Sequence, residues 1–222
     1  MILCIGNVLT PAELEEIISQ LKTAEFVDGK LTAGWHARLV KHNTQLKKGN
    51  TSETLTQRVS AALKRNPVFQ MAVRPKAIRS PLFSRYDVGM SYGTHVDNAV
   101  MGEGELMRSD VSFTLFLNPP SEYDGGELVM ETTQGDQAFK LDAGAMIVYP
   151  STTLHRVEPV TRGVRWVVVS WVQSLVREAS DREILFDLDT ARHRLFEQQG
   201  KTAEFDLLSK SLANLLRKWA EV

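Results

Sequence analysis

Hydrophobic and polar residues follow two different rhythms along this chain. Between residues 10 and 66 the apolar positions recur at intervals of three and four, which is typical of amphipathic helices. From about residue 81 to residue 173 they form short extended runs separated by glycine and proline, and after residue 176 the helical spacing returns. This pattern predicts N-terminal helices, a β-rich middle and a helical C-terminal part.

The N-terminal part predicts a short strand, MILCIGNVL, and two helices. The first helix should begin at the capping box of residues 10–13, and the second should end at Asn66-Pro67. The segment TAGWHARLVKHN between them predicts a strand, in which His36 and His42 are expected to be structural or exposed and not ligands. The two apolar stripes consist of Leu14, Ile17, Ile18 and Leu21, and of Leu55, Val59, Ala62 and Leu63.

Eight extended runs with no long helix between them predict a two-sheet jelly roll, or double-stranded β-helix. The expected fold class is α+β with a mainly β core, flanked by N-terminal helices and a C-terminal helical hairpin. The runs are LFSRYDV, THVDNAV, DVSFTLFLN, GELVMET, QAFKLD, AMIVYP, HRVEPV and GVRWVVVSWV.

Two of these runs carry polar residues whose spacing suits a metal ion. Side chains alternate between faces in a strand, so His95 and Asp97 should project to the same side. His155 begins another run after the turn signal Pro150-Ser151. Two imidazoles and one carboxylate can occupy one face of an octahedral ion and leave the other positions open, which is the pattern of non-haem Fe(II) oxygenases.

The run GVRWVVVSWV is apolar on both faces and therefore predicts a central strand. Arg165 within it should be at least partly buried. A buried guanidinium needs an anionic partner, because leaving its charge unpaired costs roughly several kcal/mol. A dicarboxylate held by the planar fork of Arg165 would supply one.

The C-terminal part predicts two amphipathic helices. Residues 180–183 form a second predicted capping box, and Gly200 is expected to end the first helix. Such helices need a surface to bury against, so we expect them to dock on the barrel, with self-association into a homo-oligomer as the alternative. The stripes are Ile184, Leu188, Ala191 and Leu195, then Phe205, Leu208, Leu212, Leu215 and Trp219.

The composition is that of an ordinary globular protein. Its 222 residues are 43% hydrophobic and 24% charged with a net charge of −1, so we expect no nucleic-acid partner. We find no membrane-span or signal-peptide pattern, and the single cysteine, Cys4, suits a reducing compartment, so we expect a cytoplasmic protein. The expected division is a catalytic domain of residues 1–176, with its jelly-roll core at about 81–173, and an extension of residues 177–222.

Four motifs in order resemble a known family. RYDVGMSYGTHVD is followed by FLN, by DGGEL and by GAMIVYPSTTLHRVEPVTRGVRW. Together they resemble the Fe(II)/2-oxoglutarate dioxygenases of the prolyl 4-hydroxylase class, and more narrowly the bacterial PKHD-type hydroxylases, which are linked to iron uptake. The similarity runs from about Pro81 to Trp171, is weaker in AGWHARLVKHNTQL, and extends to the helical tail.

The resemblance implies a reaction and its site. Fe(II) would be held by His95, Asp97 and His155, and the distal carboxylate of 2-oxoglutarate by Arg165, with Tyr86 as a further cosubstrate contact. Collagen-type prolyl hydroxylases have lysine at the position of Arg165, so this chain resembles the arginine-using branch. The implied reaction is hydroxylation by O2 with release of succinate and CO2, and with L-ascorbate as the reductant.

The sequence leaves the substrate open between a protein side chain and a small molecule such as a siderophore. A zinc-dependent hydrolase with the same three ligands, or a non-catalytic, cupin-like protein that senses metal or 2-oxoglutarate, are the alternative functions. The segment NAVMGEGELMRS, residues 98–109, is expected to form either a mobile lid over the site or a plain surface connection.

Overall fold

The computed structural model describes residues 1–102 and 104–222, in which 17 strands and five helices occur. The helices are α1 (Pro11–Thr23), α2 (Asn50–Arg65), α3 (Pro67–Val73), α4 (Ala179–Gln199) and α5 (Ala203–Trp219). The strands are β1 (Leu3–Ile5), β2 (Phe26–Asp28), β3 (Lys41–His42), β4 (Thr44–Leu46), β5 (Pro75–Ile78), β6 (Leu82–Tyr86), β7 (Ser91–His95), β8 (Val100–Met101), β9 (Met107–Arg108), β10 (Val111–Phe116), β11 (Tyr123–Gly125), β12 (Leu128–Thr132), β13 (Gly135–Phe139), β14 (Met146–Pro150), β15 (His155–Val157), β16 (Val160–Gly163) and β17 (Arg165–Ser174).

Within these residues, two antiparallel sheets form the body of the protein. The major sheet has the strand order β1-β14-β10-β17-β6-β4-β2, and β5 also pairs with β17. The minor sheet has the order β13-β12-β15-β7-β3, and β8–β9 and β11–β16 form separate ribbons. This arrangement is a jelly roll, so the predicted fold class is confirmed.

Apolar side chains pack on both faces of the major sheet. Its central strand β17 contributes to both layers because its side chains alternate. Trp166 and Val168 belong to the outer core under α1, α2 and α3, whereas Val167 belongs to the inner core between the sheets. Arg165 lies on the inner side and is 1% exposed. The prediction of a central strand with a buried arginine is therefore confirmed.

The N-terminal helices begin and end where polar side chains satisfy their backbone. Thr10 Oγ1 accepts a hydrogen bond from the backbone N–H of Glu13, whose carboxylate accepts one from Thr10, so the predicted capping box is confirmed. Helix α2 ends before Pro67, as predicted. The sequence pattern missed α3, which begins at once because Asn66 Oδ1 accepts a hydrogen bond from the N–H of Phe69.

The predicted strand over TAGWHARLVKHN is wrong except near its end. Gly29–Thr32 and Ala37–Leu39 form 3-10 turns, and only Lys41–His42 pairs with β7. Gly34 lies against the side chain of Asn98, so the segment runs beside the residues that follow β7. Trp35 within it is 80% exposed. Strand-forming residues without a neighbouring strand to pair with do not form a strand.

The C-terminal helices dock on the rest of the chain, as expected. Arg74, at the end of α3, donates a hydrogen bond of 3.0 Å to Asp189 of α4, and Leu212 of α5 is buried. Val176 and Ala220 form an antiparallel bridge, and α4 ends at Gly200 as predicted. Among the described residues, no helix is both long enough and apolar enough to cross a bilayer.

Two details of α4 differ from the prediction. The capping box at residues 180–183 is wrong, because the N-cap is Glu178, two residues before Ser180, and Arg182 donates to carbonyl oxygens of the preceding loop. The predicted apolar stripe is not the buried face of the helix. The buried residues of α4 are Arg182, Leu185 and Asp189, whereas Ile184 of the predicted stripe is 45% exposed. Two of these three buried side chains are charged, so a search for apolar residues selects the wrong face.

Candidate active site

His95 and His155 lie opposite each other where β7 pairs with β15, with ring centroids 4.3 Å apart. Within the predicted run THVDNAV, strand β7 ends at His95, and the next strand begins only at Val100. Because His155 is the first residue of β15, the backbone after His95 has no partner strand in the minor sheet. Asp97 therefore lies in an irregular segment just beyond the strand.

The structure brings His95, Asp97 and His155 together. One candidate ligand atom from each lies within 4.8 Å of the others, and His155 Nε2 is 4.0 Å from Asp97 Oδ2. His36 and His42 lie outside this cluster. Strand alternation thus predicted the right grouping, although Asp97 reaches the cluster from a loop.

Backbone carbonyl groups orient both imidazoles. Nδ1 of His95 lies 2.8 Å from the carbonyl oxygen of Gly93, and Nδ1 of His155 lies 2.9 Å from that of Thr153. A carbonyl oxygen can only accept, so each Nδ1 carries the hydrogen and each Nε2 keeps its lone pair for a metal. Burial, followed by the neighbouring His155, lowers the pKa of His95 to about 4. The His95 ring is therefore neutral at neutral pH.

The hydroxyl of Ser112 holds the carboxylate of Asp97 and is itself hydrogen-bonded to Ser151. Ser112 Oγ, on strand β10 beside β17, donates to Asp97 Oδ2 at 2.5 Å. Ser112 Oγ also lies 2.8 Å from Ser151 Oγ, and because its hydrogen is engaged by Asp97, Ser151 is the donor in that bond. Sequence reasoning assigned neither serine a role. The available signal was a polar residue at a position where the strand VSFTLF is buried on both faces.

Two tyrosines enclose the imidazoles. The ring of Tyr92 stacks on that of His95 with centroids 3.7 Å apart, and Tyr149 meets His155 edge-on at 5.1 Å. Burial raises the pKa of both tyrosines, so their hydroxyls stay neutral at neutral pH. These contacts restrict the rotation of both imidazole rings.

Arg165 is buried without a compensating charge. Its Cζ lies 5.0 Å from the ring centre of Tyr86 and 5.6 Å from that of Phe116. Within the described residues no carboxylate pairs with its guanidinium, and its Nε has no hydrogen-bond partner. An unpaired buried charge costs roughly several kcal/mol, so the site suits an anionic ligand.

A cavity of about 970 Å³ connects the three candidate ligands with Arg165 and Tyr86. Its volume lies near the upper end of the usual range for small-molecule sites, about 300–1,000 Å³. Two imidazoles and a carboxylate with an open side fit Fe(II), and the unpaired guanidinium fits a dicarboxylate. The residues present therefore match both groups that the motifs indicated, and the cavity leaves room for a further ligand.

The segment 98–109 contains a short hairpin. Val100–Met101 pairs with Met107–Arg108, and Val100 lines the cavity. Glu103, which belongs to the proposed lid, lies outside the described residues. The hairpin stands beside the site, and its action as a lid stays a prediction.

Residues 81–173, which include this cluster, match the family model of the 2OG-Fe(II) oxygenase superfamily. Residues 180–221 match the model of the PKHD-type hydroxylase C-terminal domain. A PKHD-type hydroxylase of Gloeothece citriformis is 65% identical over 221 residues, which is 100% of each chain. The chain therefore belongs to the PKHD-type hydroxylase family, as its motifs indicated.

Solved structures share the fold. A prolyl-4-hydroxylase of Pseudomonas putida aligns with a TM-score of 0.54 and 18% identity over 78% of this chain and 92% of that one. HygX of Streptomyces hygroscopicus, solved with nickel, 2-oxoglutarate and hygromycin B, aligns with a TM-score of 0.56 and 12% identity over 80% and 84% of the two chains. At these identities the likeness concerns the fold alone.

Proposed function

We propose that the chain is a dioxygenase that hydroxylates its substrate using Fe(II) held by His95, Asp97 and His155. One observation carries the proposal: the three candidate ligands and the unpaired Arg165 face a common cavity. When bound, iron and 2-oxoglutarate would supply the O2 chemistry and yield succinate and CO2. The family to which the chain belongs supports this assignment.

Arg165 would bind the distal carboxylate of 2-oxoglutarate. Its planar guanidinium offers paired donors that match a carboxylate, and the ligand would supply the negative charge that the described residues lack. Tyr86 packs against the guanidinium, and burial raises the pKa of its phenol. A neutral Tyr86 hydroxyl remains available as a hydrogen-bond donor to the cosubstrate.

The other residues around the triad would orient ligands and exclude water. The hydroxyl of Ser112 fixes one oxygen of Asp97, so this carboxylate serves as a ligand and needs no role as a general base. The cavity wall near the triad includes Leu128 and Val157, whose apolar side chains keep bulk water away. The protein thus contributes geometry and a dry environment.

The two alternatives differ from this proposal in measurable ways. A zinc hydrolase would not need Arg165 for its activity. A sensor would bind 2-oxoglutarate but would not convert it to succinate. We expect the aerobic protein with Fe(II) and 2-oxoglutarate to form succinate slowly without added substrate, and Arg165→Lys to need more 2-oxoglutarate. Succinate at the level of a metal-free control would contradict the proposal and favour a sensor.

Several finer proposals rest on the family resemblance. We propose L-ascorbate as the reductant and the cytoplasm as the location. We also propose a link to iron uptake. The substrate would be a protein side chain or a small molecule such as a siderophore. We propose residues 1–176 as the catalytic domain and residues 177–222 as its extension, with a homo-oligomer through α4 and α5 as a second proposal. Ascorbate should raise the number of turnovers per enzyme, and an unchanged yield would contradict that role.

A further inference from the structure

A lysine is buried in the same cavity without an acid beside it. Lys41, on β3, is 5% exposed and lines the cavity. Its Nζ donates a hydrogen bond of 3.0 Å to Thr32 Oγ1, and no ion pair with a carboxylate forms within residues 1–102 and 104–222. A buried ammonium without a counter-charge is costly, so this position also suits an anionic ligand.

The groups around Lys41 are neutral. Thr32 Oγ1 donates to Gln45 Oε1 at 2.6 Å, and Gln45 Nε2 donates to Ser84 Oγ at 3.3 Å. Thr32, Gln45 and Ser84 line the cavity together with Lys41. This wall therefore offers polar hydrogen-bonding groups and one positive charge.

Lys41 lies close to the triad but does not belong to it. Its Nζ is 5.1 Å from the ring centre of Tyr92, and Tyr92 stacks in turn on His95. One aromatic ring thus separates the ammonium from a candidate metal ligand. A molecule bound to Lys41 would extend across Tyr92 towards the centre where hydroxylation is proposed.

Two of the cationic side chains that line the cavity are buried, and they lie on different sheets. Arg165 pairs with Tyr86 within the major sheet, whereas Lys41 pairs with Tyr92 within the minor sheet. If 2-oxoglutarate occupies the metal centre and Arg165, both of its carboxylates are engaged. Lys41 then remains available for a second molecule.

Two acids, Asp97 and Asp28, interact electrostatically with Lys41 from a distance, but neither forms an ion pair with it. Asp97 accepts a hydrogen bond from Ser112 and is assigned to the metal. Asp28 is exposed and accepts a hydrogen bond from the N–H of Lys30. Burial lowers the pKa of Lys41 to about 8, so its amine is still mostly protonated at neutral pH.

We propose that Lys41 binds a carboxylate of the substrate that is hydroxylated, and so determines specificity for an anionic substrate. A single ammonium balances a monoanion, whereas a phosphate dianion would leave an uncompensated charge near Asp97. The inference rests on the proposed function and narrows its substrate class. The carboxylate can come from a small molecule or from an acidic side chain of a protein, and the test separates these sources.

The test uses the Mn(II)-loaded protein saturated with 2-oxoglutarate, so that Arg165 is already occupied. Paramagnetic broadening of probe NMR lines then reports binding close to the metal. The probes are N-acetylglycine, its neutral analogue N-acetylglycinamide, and a blocked Ala-Asp-Ala peptide. Broadening of the peptide as well as N-acetylglycine assigns the carboxylate to a protein side chain, and broadening of N-acetylglycine alone assigns it to a small molecule.

We expect saturable broadening of at least one acidic probe and much weaker broadening of the amide. Lys41→Met should weaken binding of the acid about tenfold or more, because a hydrogen bond to a charged group is lost. Lys41→Arg should retain it, and Lys48→Met is the matched control, since Lys48 is an exposed lysine that lines the same cavity.

Equal broadening by acid and amide, no broadening by any probe, or unchanged acid binding in Lys41→Met would overturn the assignment. Retention of 2-oxoglutarate by Lys41→Met shows that this variant is folded and that its cosubstrate site is intact. Failure of the wild type to bind 2-oxoglutarate would contradict the proposed function, and the assignment of Lys41 with it.

Discussion

His95 and His155 face each other across the β7–β15 pairing, and each donates its Nδ1–H to the carbonyl group two residues before it. The same local bond therefore sets both imidazoles. Each bond joins the ring to a carbonyl group only two residues earlier in the chain and needs no metal. The two Nε2 atoms are therefore positioned before a metal binds. The site should thus bind a divalent ion without rearranging its histidines.

The hydroxyl that holds Asp97 should tune the affinity for the metal. Ser112→Ala removes the donor to Asp97 Oδ2 and should weaken Fe(II) or Mn(II) binding about 10–100-fold, because groups that orient a ligand typically contribute that much. Competition with a chelator of known affinity measures the change. Ser121→Ala, at an exposed serine, is the control, and equal affinities for both variants would contradict the role of Ser112.

Replacing Arg165 should separate stability from ligand binding. Arg165→Met removes an unpaired buried charge, so without ligand its free energy of unfolding should equal that of the wild type or exceed it by about 1–4 kcal/mol. 2-Oxoglutarate at a hundred times its wild-type Kd should stabilise the Mn(II)-loaded wild type by about 2.7 kcal/mol and stabilise the variant much less.

Urea unfolding with and without 2-oxoglutarate measures both effects. Arg162→Met, at an exposed arginine paired with Asp124, should keep the full response to the cosubstrate. An Arg165→Met protein that 2-oxoglutarate stabilises as strongly as the wild type would contradict the assigned anchor.

The ion pair between Arg74 and Asp189 should attach the C-terminal helices to α3. The two side chains are only 12% and 7% exposed, so Asp189→Asn leaves Arg74 buried beside a neutral group and should cost about 3–5 kcal/mol of unfolding free energy. Denaturant unfolding provides the measurement. Asp187→Asn, at an exposed position of the same helix, should cost little, and similar losses in the two variants would count against the pair.

The contact between Glu13 and Arg65 should make stability depend on pH. Hydrogen bonds from Arg65 lower the pKa of Glu13 from 4.5 to about 2. Because the folded pKa lies below the unfolded one, the pair stabilises the fold above about pH 4.5, and this contribution is lost as the pH falls towards 2. Both side chains are partly exposed, so the effect should be at most about 1 kcal/mol.

Arg65→Met tests this pH dependence. The variant should lose more unfolding free energy near neutral pH than near pH 2, since the ionised Glu13 that Arg65 stabilises is largely lost as the pH falls to the folded pKa. An equal loss at both pH values would assign the effect of Arg65 to its other hydrogen bond, to the carbonyl of Val8, and not to Glu13.

The jelly roll and the three candidate ligands could be predicted because their signals are local or ordered along the chain. His95 and Asp97 are two residues apart, and His155 and Arg165 follow within recognisable motifs. The end of β7 could not be predicted in the same way. It depends on the first residue of β15, which lies far along the chain and pairs with His95.

Polar residues of the site were harder to predict than its ligands. Ser112 and Ser151 meet only because β10 and β14 are neighbours, and nothing near either serine in the sequence indicates the other. Lys41 lies in a segment that resembles an exposed strand, yet its side chain turns into the cavity. The buried face of α4 was missed because two of its buried side chains are charged: Asp189 pairs with Arg74, and Arg182 donates to backbone carbonyl groups.

The most direct test of the central claim is an anaerobic titration of the apoprotein with Fe(II) and then 2-oxoglutarate, followed by visible absorption. We predict a metal-to-ligand charge-transfer band in the wild type and in the control His42→Ala. The band should be absent in His155→Ala and should need much more 2-oxoglutarate in Arg165→Ala. Confirmed iron binding without a band in the wild type, or an undiminished band in His155→Ala, would contradict the assigned site.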